Sequence, residues 1–297
     1  MVREIPANPP KGAPKKRRRM NLALRGLVLL SAALTLTAGA SVLFYLLLRG
    51  ARQLGREFLF RSPSPLKGEY GILPGIINTL YIIVLTLLTA APLGIGAAVY
   101  LSEYAKPGRL TRLIAFTTGT LAGIPSVVYG LFGALFFGET LRLGYSILTG
   151  SLTLSLMVLP AIIRSSQDAL EAVPASLRES ALGCGATQWQ MLRTVVLPCA
   201  RKGLAASVLL AVGRITGESA ALLFTAGAAT NLPRNWLTHP LASGASLTVQ
   251  MYLGISNGGY IDEAFGIALV LAMILVALYF LTAALTAEPH GREEDSL

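Results

Sequence analysis

The stretch GLAASVLLAVGRITGESAALLF, residues 203 to 224, predicts a membrane-spanning helix with an arginine and a glutamate near its middle. A charged side chain at bilayer depth costs about 2.5 to 17 kcal/mol, depending on how the cost is obtained, so it persists only with a partner and usually a function. Arg214 and Glu218 are four residues apart, and a continuous helix would place them on one face, within reach of each other. The pair indicates that this span lines something polar rather than lipid.

The rest of the chain has the composition of an integral membrane protein. Of its 297 residues, 53% are hydrophobic and 13% are charged, whereas soluble domains carry about 25% charged residues. Apolar runs suited to crossing about 30 Å of hydrocarbon predict an all-α membrane protein with six transmembrane helices. The fourth run is the shortest, since it ends at Pro160 and Arg164. The predicted spans are residues 22–48, 72–101, 110–137, 151–163, 203–224 and 264–286.

The basic residues predict the orientation of the chain. Eight Lys and Arg precede or begin the first span, up to Arg25, and the formal net charge is +10. The positive-inside bias places both termini in the cytoplasm, although the five basic residues of segment 49–67 oppose it. In a chain this apolar, the basic N-terminal segment is better explained as a signal for membrane orientation than as a nucleic-acid-binding segment. The first apolar run is too long for a signal peptide, so we expect a retained anchor, with cleavage as the alternative.

Several kinds of chemistry are missing from the sequence. It contains no Gly-Lys dipeptide, which excludes a phosphate-cradling P-loop. Its two histidines and two cysteines show no metal-ligand spacing, and Cys184 and Cys199 are predicted to be reduced on the cytoplasmic side. No nucleophile and base pair is visible. We therefore predict a non-catalytic chain without a cofactor, powered by another chain if nucleotide drives its work.

The segment between the fourth and fifth predicted spans, residues 164–202, predicts two short helices. Ser176 followed by Glu179 fits a capping box, and so does Thr187 followed by Gln190. The intervening Gly183-Cys184-Gly185 predicts a turn with positive φ, and Pro198 is expected to end the second helix. From spacing alone, a plain connector and a protein-docking loop remain equally open.

The same segment resembles a known signature. Glu179-Ser180-Ala181, three residues, Gly185, nine residues and Val195-Val196-Leu197-Pro198 resemble the EAA motif of ABC importer permeases, with Ser180 and Val195 replacing an alanine and an isoleucine. The flanking stretches resemble the PstA-type permeases of phosphate importers over roughly residues 60–285. Those stretches are PSPLKGEYGILPGIINTLYIIVLTLLTAAPLGIGAAVYLSEYA, GIPSVVYGLFG and GRITGESAALLFTAG.

The resemblance implies a type I ABC importer permease in the plasma (inner) membrane. Together with the charges and apolar runs, it predicts a basic tail at 1–21, a first helix and external loop at 22–71, a permease domain at 72–286 and a cytoplasmic tail at 287–297. It also implies a PstC-type sister permease, an external PstS-type phosphate-binding protein facing loop 225–263, and two PstB-type ATPase subunits that hold ATP and Mg. The ATPase-coupling positions carried over are Glu179, Ser180, Ala181, Gly185, Leu197 and Pro198.

A transport path for an oxyanion needs donors, and guanidinium groups supply a planar fork of them. Arg214 is the candidate within the membrane and Arg164 the candidate at the cytoplasmic end of the fourth span, with Glu218 beside the path. The alternatives are that Arg214 and Glu218 only neutralise each other and that Arg164 only marks topology. A PstC-type sister subunit, a permease for sulfate or molybdate, and an ATPase-independent channel or receptor also remain open.

Overall fold

The computed structural model describes residues 15–63, 70–106 and 108–286. Every regular element in these ranges is helical. The predicted tail residues 1–14 and 287–297 lie outside the described residues, as does Lys67 of the external loop. The α-helices are α1 Lys15–Ala51, α2 Arg56–Phe60, α3 Leu73–Val99, α4 Arg109–Ala122, α5 Ser126–Gly133, α6 Ile147–Glu171, α7 Ala175–Gly183, α8 Gln188–Met191, α9 Leu197–Gly217, α10 Ala220–Thr225, α11 Leu247–Gly258 and α12 Ile261–Thr286.

Five helical stretches in the described ranges are long and apolar enough to cross a membrane: α1, α3, α6, α8 with α9, and α12. If α4 and α5 are counted together, they form a sixth span. The two helices are bent by 101° relative to each other at a short break. The third predicted span, 110–137, is therefore two helices bent at a break rather than one continuous helix. Pro125 disfavours helical backbone at the residue before it, and α4 ends at Ala122, with Gly123 as its C-cap.

Two other spans differ in length from the prediction. The fourth runs from Ile147 to Glu171, well beyond the apolar run 151–163, because Pro160 is accommodated inside the helix and polar residues continue it. The first begins at Lys15, so the basic run assigned to the tail forms the first turns of α1.

Helices α3, α6 and α9 form the centre of the bundle, and α3 with α6 is its most extensive pair. Hydroxyl groups join these two helices inside the apolar packing: Thr86 Oγ1 donates to Ser151 O at 3.2 Å, and the Thr89 and Ser155 hydroxyls lie 2.5 Å apart. Such interhelical hydrogen bonds hold membrane helices together where lipid gives no hydrophobic drive for association.

The two ends of the bundle have different structures. At one end, called here the α7 side, α7 and α8 form a helical hairpin against the ends of α3 and α6. At the other, the α11 side, α11 packs against the start of α3 and against α12. Helix α11 begins after its N-cap Ser246, whose hydroxyl accepts a hydrogen bond from Val249 N at 3.2 Å.

The close approach of α3 and α6 depends on Gly94. A Cβ atom at this position would lie 2.6 Å from Ile162 Cγ2, so Gly94→Leu overpacks the pair. We expect a loss of about 1 to 3 kcal/mol in the free energy of unfolding, measured as reduced thermal stability of the detergent-solubilised protein. The matched control is Gly96→Leu on the same helix, where a Cβ meets nothing within 4 Å. Equal stability of the two variants would contradict this packing.

Candidate functional site

The span that carries Arg214 and Glu218 is broken between them. Helix α9 ends at Gly217, and Glu218 has extended backbone with φ −82° and ψ 127°. A Glu218 carboxylate oxygen accepts from Ala221 N at 3.1 Å at the start of α10, and its backbone oxygen accepts from Thr248 Oγ1 at 2.7 Å. None of the ion pairs between described residues joins Arg214 to Glu218. The expected pairing is therefore wrong, because the chain leaves the helix and the carboxylate serves the unsatisfied N–H groups of α10.

A cavity of about 460 Å³ lies between α4, α6 and α9. It brings Arg164 and Arg214 together on the walls of one space, together with Asp168, one helical turn from Arg164. Glu218 is not among the lining residues. The residues that complete the lining are Thr118, Gly119, Ala122, Pro160, Ala161, Ser165, Ser207, Leu210 and Ala211.

Both cavity arginines have guanidinium groups available for a ligand. Arg164 and Arg214 are exposed in the single chain, and neither lies within ion-pair distance of a described carboxylate. Beside the cavity, the Ser166 and Ser207 hydroxyls lie 3.0 Å apart and join α6 to α9. Each guanidinium presents five N–H donors, so the cavity has positive charge and directed donors without a bound acceptor.

The hairpin on the α7 side contains the predicted turn. Gly185 has φ +86°, and the capping box of Thr187 and Gln190 is present at the start of α8. The first predicted capping box is wrong: α7 follows Pro174, and no side chain caps it. The fixed φ of proline already suits a helix start, which leaves Ser176 and Glu179 inside the helix.

The second hairpin helix does not end at Pro198. Helix α8 continues through a π-helical segment, Leu192–Val196, directly into α9. Pro198 lies in the first turn of α9, directly after the π-helical segment, and the helix continues past it. The second hairpin helix, α8, and the span that carries Arg214 are thus one continuous helix.

The predicted coupling residues divide into two groups. Glu179, Ser180, Gly185 and Pro198 are exposed. Ala181 and Leu197 instead pack against a buried apolar cluster at the ends of the spans. That cluster consists of Ala98, Leu170, Val173, Met191, Leu192, Val196 and Ala200.

Sequence reasoning missed an exposed apolar patch on the hairpin. Leu177 is 41%, Leu182 46% and Trp189 59% exposed. Leu177 and Leu182 belong to α7, which is not one of the membrane-spanning stretches, and Trp189 lies at the start of α8. Exposed apolar side chains that lipid does not cover mark a candidate interaction surface. Large apolar residues within an otherwise polar connection were the available signal.

Sequence reasoning also missed a buried ion pair that anchors the hairpin. Arg178 of α7 donates from Nε and Nη2 to Glu103 Oε1 at 3.2 and 2.9 Å. The same guanidinium donates from Nη1 to Val173 O at 2.6 Å and from Nη2 to Leu170 O at 2.7 Å. Gln188 Nε2 of α8 donates to the backbone oxygen of Glu103 at 2.6 Å. We call these contacts the Arg178 clamp.

The loop on the α11 side is held by a second polar cluster. Asn78 Nδ2 donates to Ala245 O at 3.1 Å, which leaves its Oδ1 to accept from His239 Nε2 at 2.8 Å. Burial lowers the pKa of His239, so the neutral ring is favoured. Tyr81 OH donates to Trp236 O at 2.9 Å. These contacts order the loop beside a concavity of about 660 Å³ lined by residues 229–243.

A bundle of membrane helices with an open, charged cavity between its helices and a helical hairpin at one end fits the architecture of a transport permease. The chain belongs to the family of binding-protein-dependent transport system inner membrane components, which it matches over residues 90–287. As a member of this permease family it is a multi-pass membrane protein and is non-catalytic.

Curated relatives and solved structures agree with this family. The chain is 33% identical to the phosphate transport system permease protein PstA of Haemophilus influenzae, over 71% of this chain and 74% of that protein. It is 30% identical to PstC of the same organism, over 76% and 80%. A bacterial alginate ABC transporter has the same fold, with a TM-score of 0.65 at 16% identity over 91% of this chain and 96% of that chain. The predicted type I importer permease core is confirmed.

A substitution at Gly185 tests whether the positive-φ turn sets the geometry of the hairpin. A β-branched residue with positive φ is strained by about 1 to 3 kcal/mol, so Gly185→Val is expected to misdirect α8 and reduce ATPase co-purification. The matched control is Gly183→Val, two residues away in α7, where φ is not positive and a Cβ meets nothing within 4 Å. Co-purification that is equally normal for both variants would refute the role of this turn.

Proposed function

We propose that this chain is a permease subunit of an ATP-driven inorganic phosphate importer and forms half of the translocation path. The observation that carries the proposal is the cavity between α4, α6 and α9, which is lined by Arg164 and Arg214. Both termini are cytoplasmic in this proposal, so the α7 side faces the cytoplasm and the α11 side faces outward. This orientation follows from the positive-inside bias.

The chemistry of the cavity suits a tetrahedral oxyanion. Phosphate is singly or doubly negative near neutral pH, and two guanidinium groups can each donate to two of its oxygens. Asp168, which lines the same cavity, would help the site to discriminate phosphate from sulfate. A carboxylate accepts a hydrogen bond from a protonated phosphate oxygen but repels a fully ionised sulfate. The relatives named for phosphate transport support the same anion.

The exposed apolar side chains of the hairpin support the binding of a partner ATPase and argue against an ATPase-independent channel. Leu177 and Leu182 of α7 and Trp189 of α8 are exposed apolar side chains on the hairpin, and the EAA-like residues Glu179 and Ser180 lie on the same hairpin. Two PstB-type ATPase subunits, which hold ATP and Mg, would bind this hairpin and its counterpart on a PstC-type sister. A PstS-type protein would deliver phosphate to the loop on the α11 side. Motif resemblance favours a PstA-type chain, whereas a PstC-type chain is the alternative.

Substitutions at the cavity test the path. Arg164→Gln and Arg214→Gln each remove charge-assisted hydrogen bonds worth about 1.5 to 3 kcal/mol, so we expect phosphate uptake to fall roughly ten- to hundredfold while the complex still assembles. Arg214→Lys should recover little, because the two-pronged contact is lost. The measurement is uptake into vesicles, normalised to assembled complex.

Two further variants serve as controls for that assay. Arg112→Gln removes an exposed arginine of α4 that does not line the cavity, and uptake should be unchanged. Glu218→Gln keeps an acceptor for Ala221 N, so it should have a small effect if Glu218 acts only at the helix break. Normal uptake in the Arg164→Gln and Arg214→Gln double variant would overturn the proposed path.

A further inference from the structure

The Arg178 clamp joins α7 to two membrane spans at once. Glu103 follows directly on α3, in its terminal π-helical turn, while Leu170 and Val173 belong to the end of α6 and the residues just after it. Through four hydrogen bonds from one guanidinium, α7 holds the ends of both helices. The planar fork of arginine fixes direction as well as distance.

This ion pair differs in burial from the others in the described ranges. The side chains of Arg178 and Glu103 are 20% and 6% exposed, whereas those of Arg49 and Asp262 are 46% and 58% exposed. A half-exposed pair is weak and easily exchanged for water contacts. Removing one partner of a more buried pair leaves a poorly solvated charge, so this contact costs more to break than an exposed one.

Besides the clamp, α7 is connected to the path by the packing of Ala181 against the buried cluster at the ends of the spans and by two short chain segments. Residues 172–174 join it to α6, and the turn at Gly185, with φ +86°, joins it to α8. Helix α8 continues into α9 and so moves the Arg214 wall of the cavity directly. Arg164 lies on α6, which is not continuous with a hairpin helix. Arg178 of α7 contacts α6 by donating to Leu170 O.

We propose that Arg178 is a positioning residue that, through Glu103 and the end of α6, makes α3 and α6 follow the movement of α7. The inference rests on the proposed function, in which an ATPase moves the hairpin. The clamp keeps the two arginine walls of the cavity moving together during a transport cycle. Its loss uncouples ATP hydrolysis from transport without removing the ATPase-binding surface.

The test uses the full complex with its sister permease, ATPase and binding protein in proteoliposomes. The readouts are co-purified ATPase, thermal stability, ATP hydrolysis with and without the binding protein, and phosphate transported per ATP. For Arg178→Ala we expect a normal amount of ATPase and roughly a tenfold fall in phosphate per ATP. Arg178→Lys, which keeps the charge but offers fewer donors, should recover part of that ratio. A purely structural role would lower stability and yield but leave phosphate per ATP unchanged.

The controls separate the clamp from general charge loss. Arg112→Ala removes an exposed arginine at the start of α4 and should leave the ratio unchanged. The double variant Arg178→Ala with Glu103→Ala should be no worse than Arg178→Ala alone, because both residues act in one contact. Additive losses would overturn the role of Glu103.

The remaining outcomes are also decisive. A wild-type ratio of phosphate to ATP in Arg178→Ala overturns the inference. If that variant fails to assemble, Glu103→Gln replaces it, and a wild-type ratio there overturns the inference as well. If the wild-type complex binds no ATPase or moves no phosphate, the proposed function fails, and the inference fails with it. A lowered ratio in a fully assembled variant supports the clamp alone.

Discussion

The hydrocarbon interior of a bilayer offers no hydrogen-bond partners, so a chain that breaks its helices or buries charges there must satisfy those groups itself. This constraint explains much of the bundle. Where α9 stops at Gly217, the carboxylate and carbonyl of Glu218 find partners on α10 and at Thr248. At the end of α6, the Arg178 guanidinium donates to the backbone oxygens of Leu170, in its last turn, and of Val173, just beyond it. The helices can be interrupted because side chains complete the interrupted hydrogen bonding.

Two charged groups do not follow this pattern, and they define the functional hypothesis. Arg164 and Arg214 face a shared cavity and lie in no ion pair with a described residue. Uncompensated guanidinium groups at membrane depth are costly, which favours an anion or a partner subunit as their complement. Their helices lead to the α7 side by different routes, α9 through continuous helix and α6 through the Arg178 clamp. The same hairpin therefore reaches both walls of the cavity.

Much of the fold could be predicted from the lengths of the apolar runs. Local features such as turns and helix caps could also be predicted from the sequence. The turn at Gly185 and the capping box at Thr187 are confirmed, because each depends on a few neighbouring residues. The break at Gly217 was not predicted, since hydropathy does not register a change of backbone direction within an apolar run. Arg178 and Glu103 lie 75 residues apart in sequence, so their contact depends on tertiary packing. The Arg214 and Glu218 pairing failed because it assumed an unbroken helix.

The most direct measurement of the central claim is the accessibility of the cavity to a thiol reagent. Ser165 lines it, and Ser165→Cys can be placed in a background with Cys184→Ser and Cys199→Ser, since both natural cysteines are exposed. In assembled complexes, the account predicts that a water-soluble thiol reagent modifies this cysteine and that phosphate slows the reaction, whereas chloride at equal ionic strength does not. A reaction rate that phosphate leaves unchanged would contradict an anion path through this cavity.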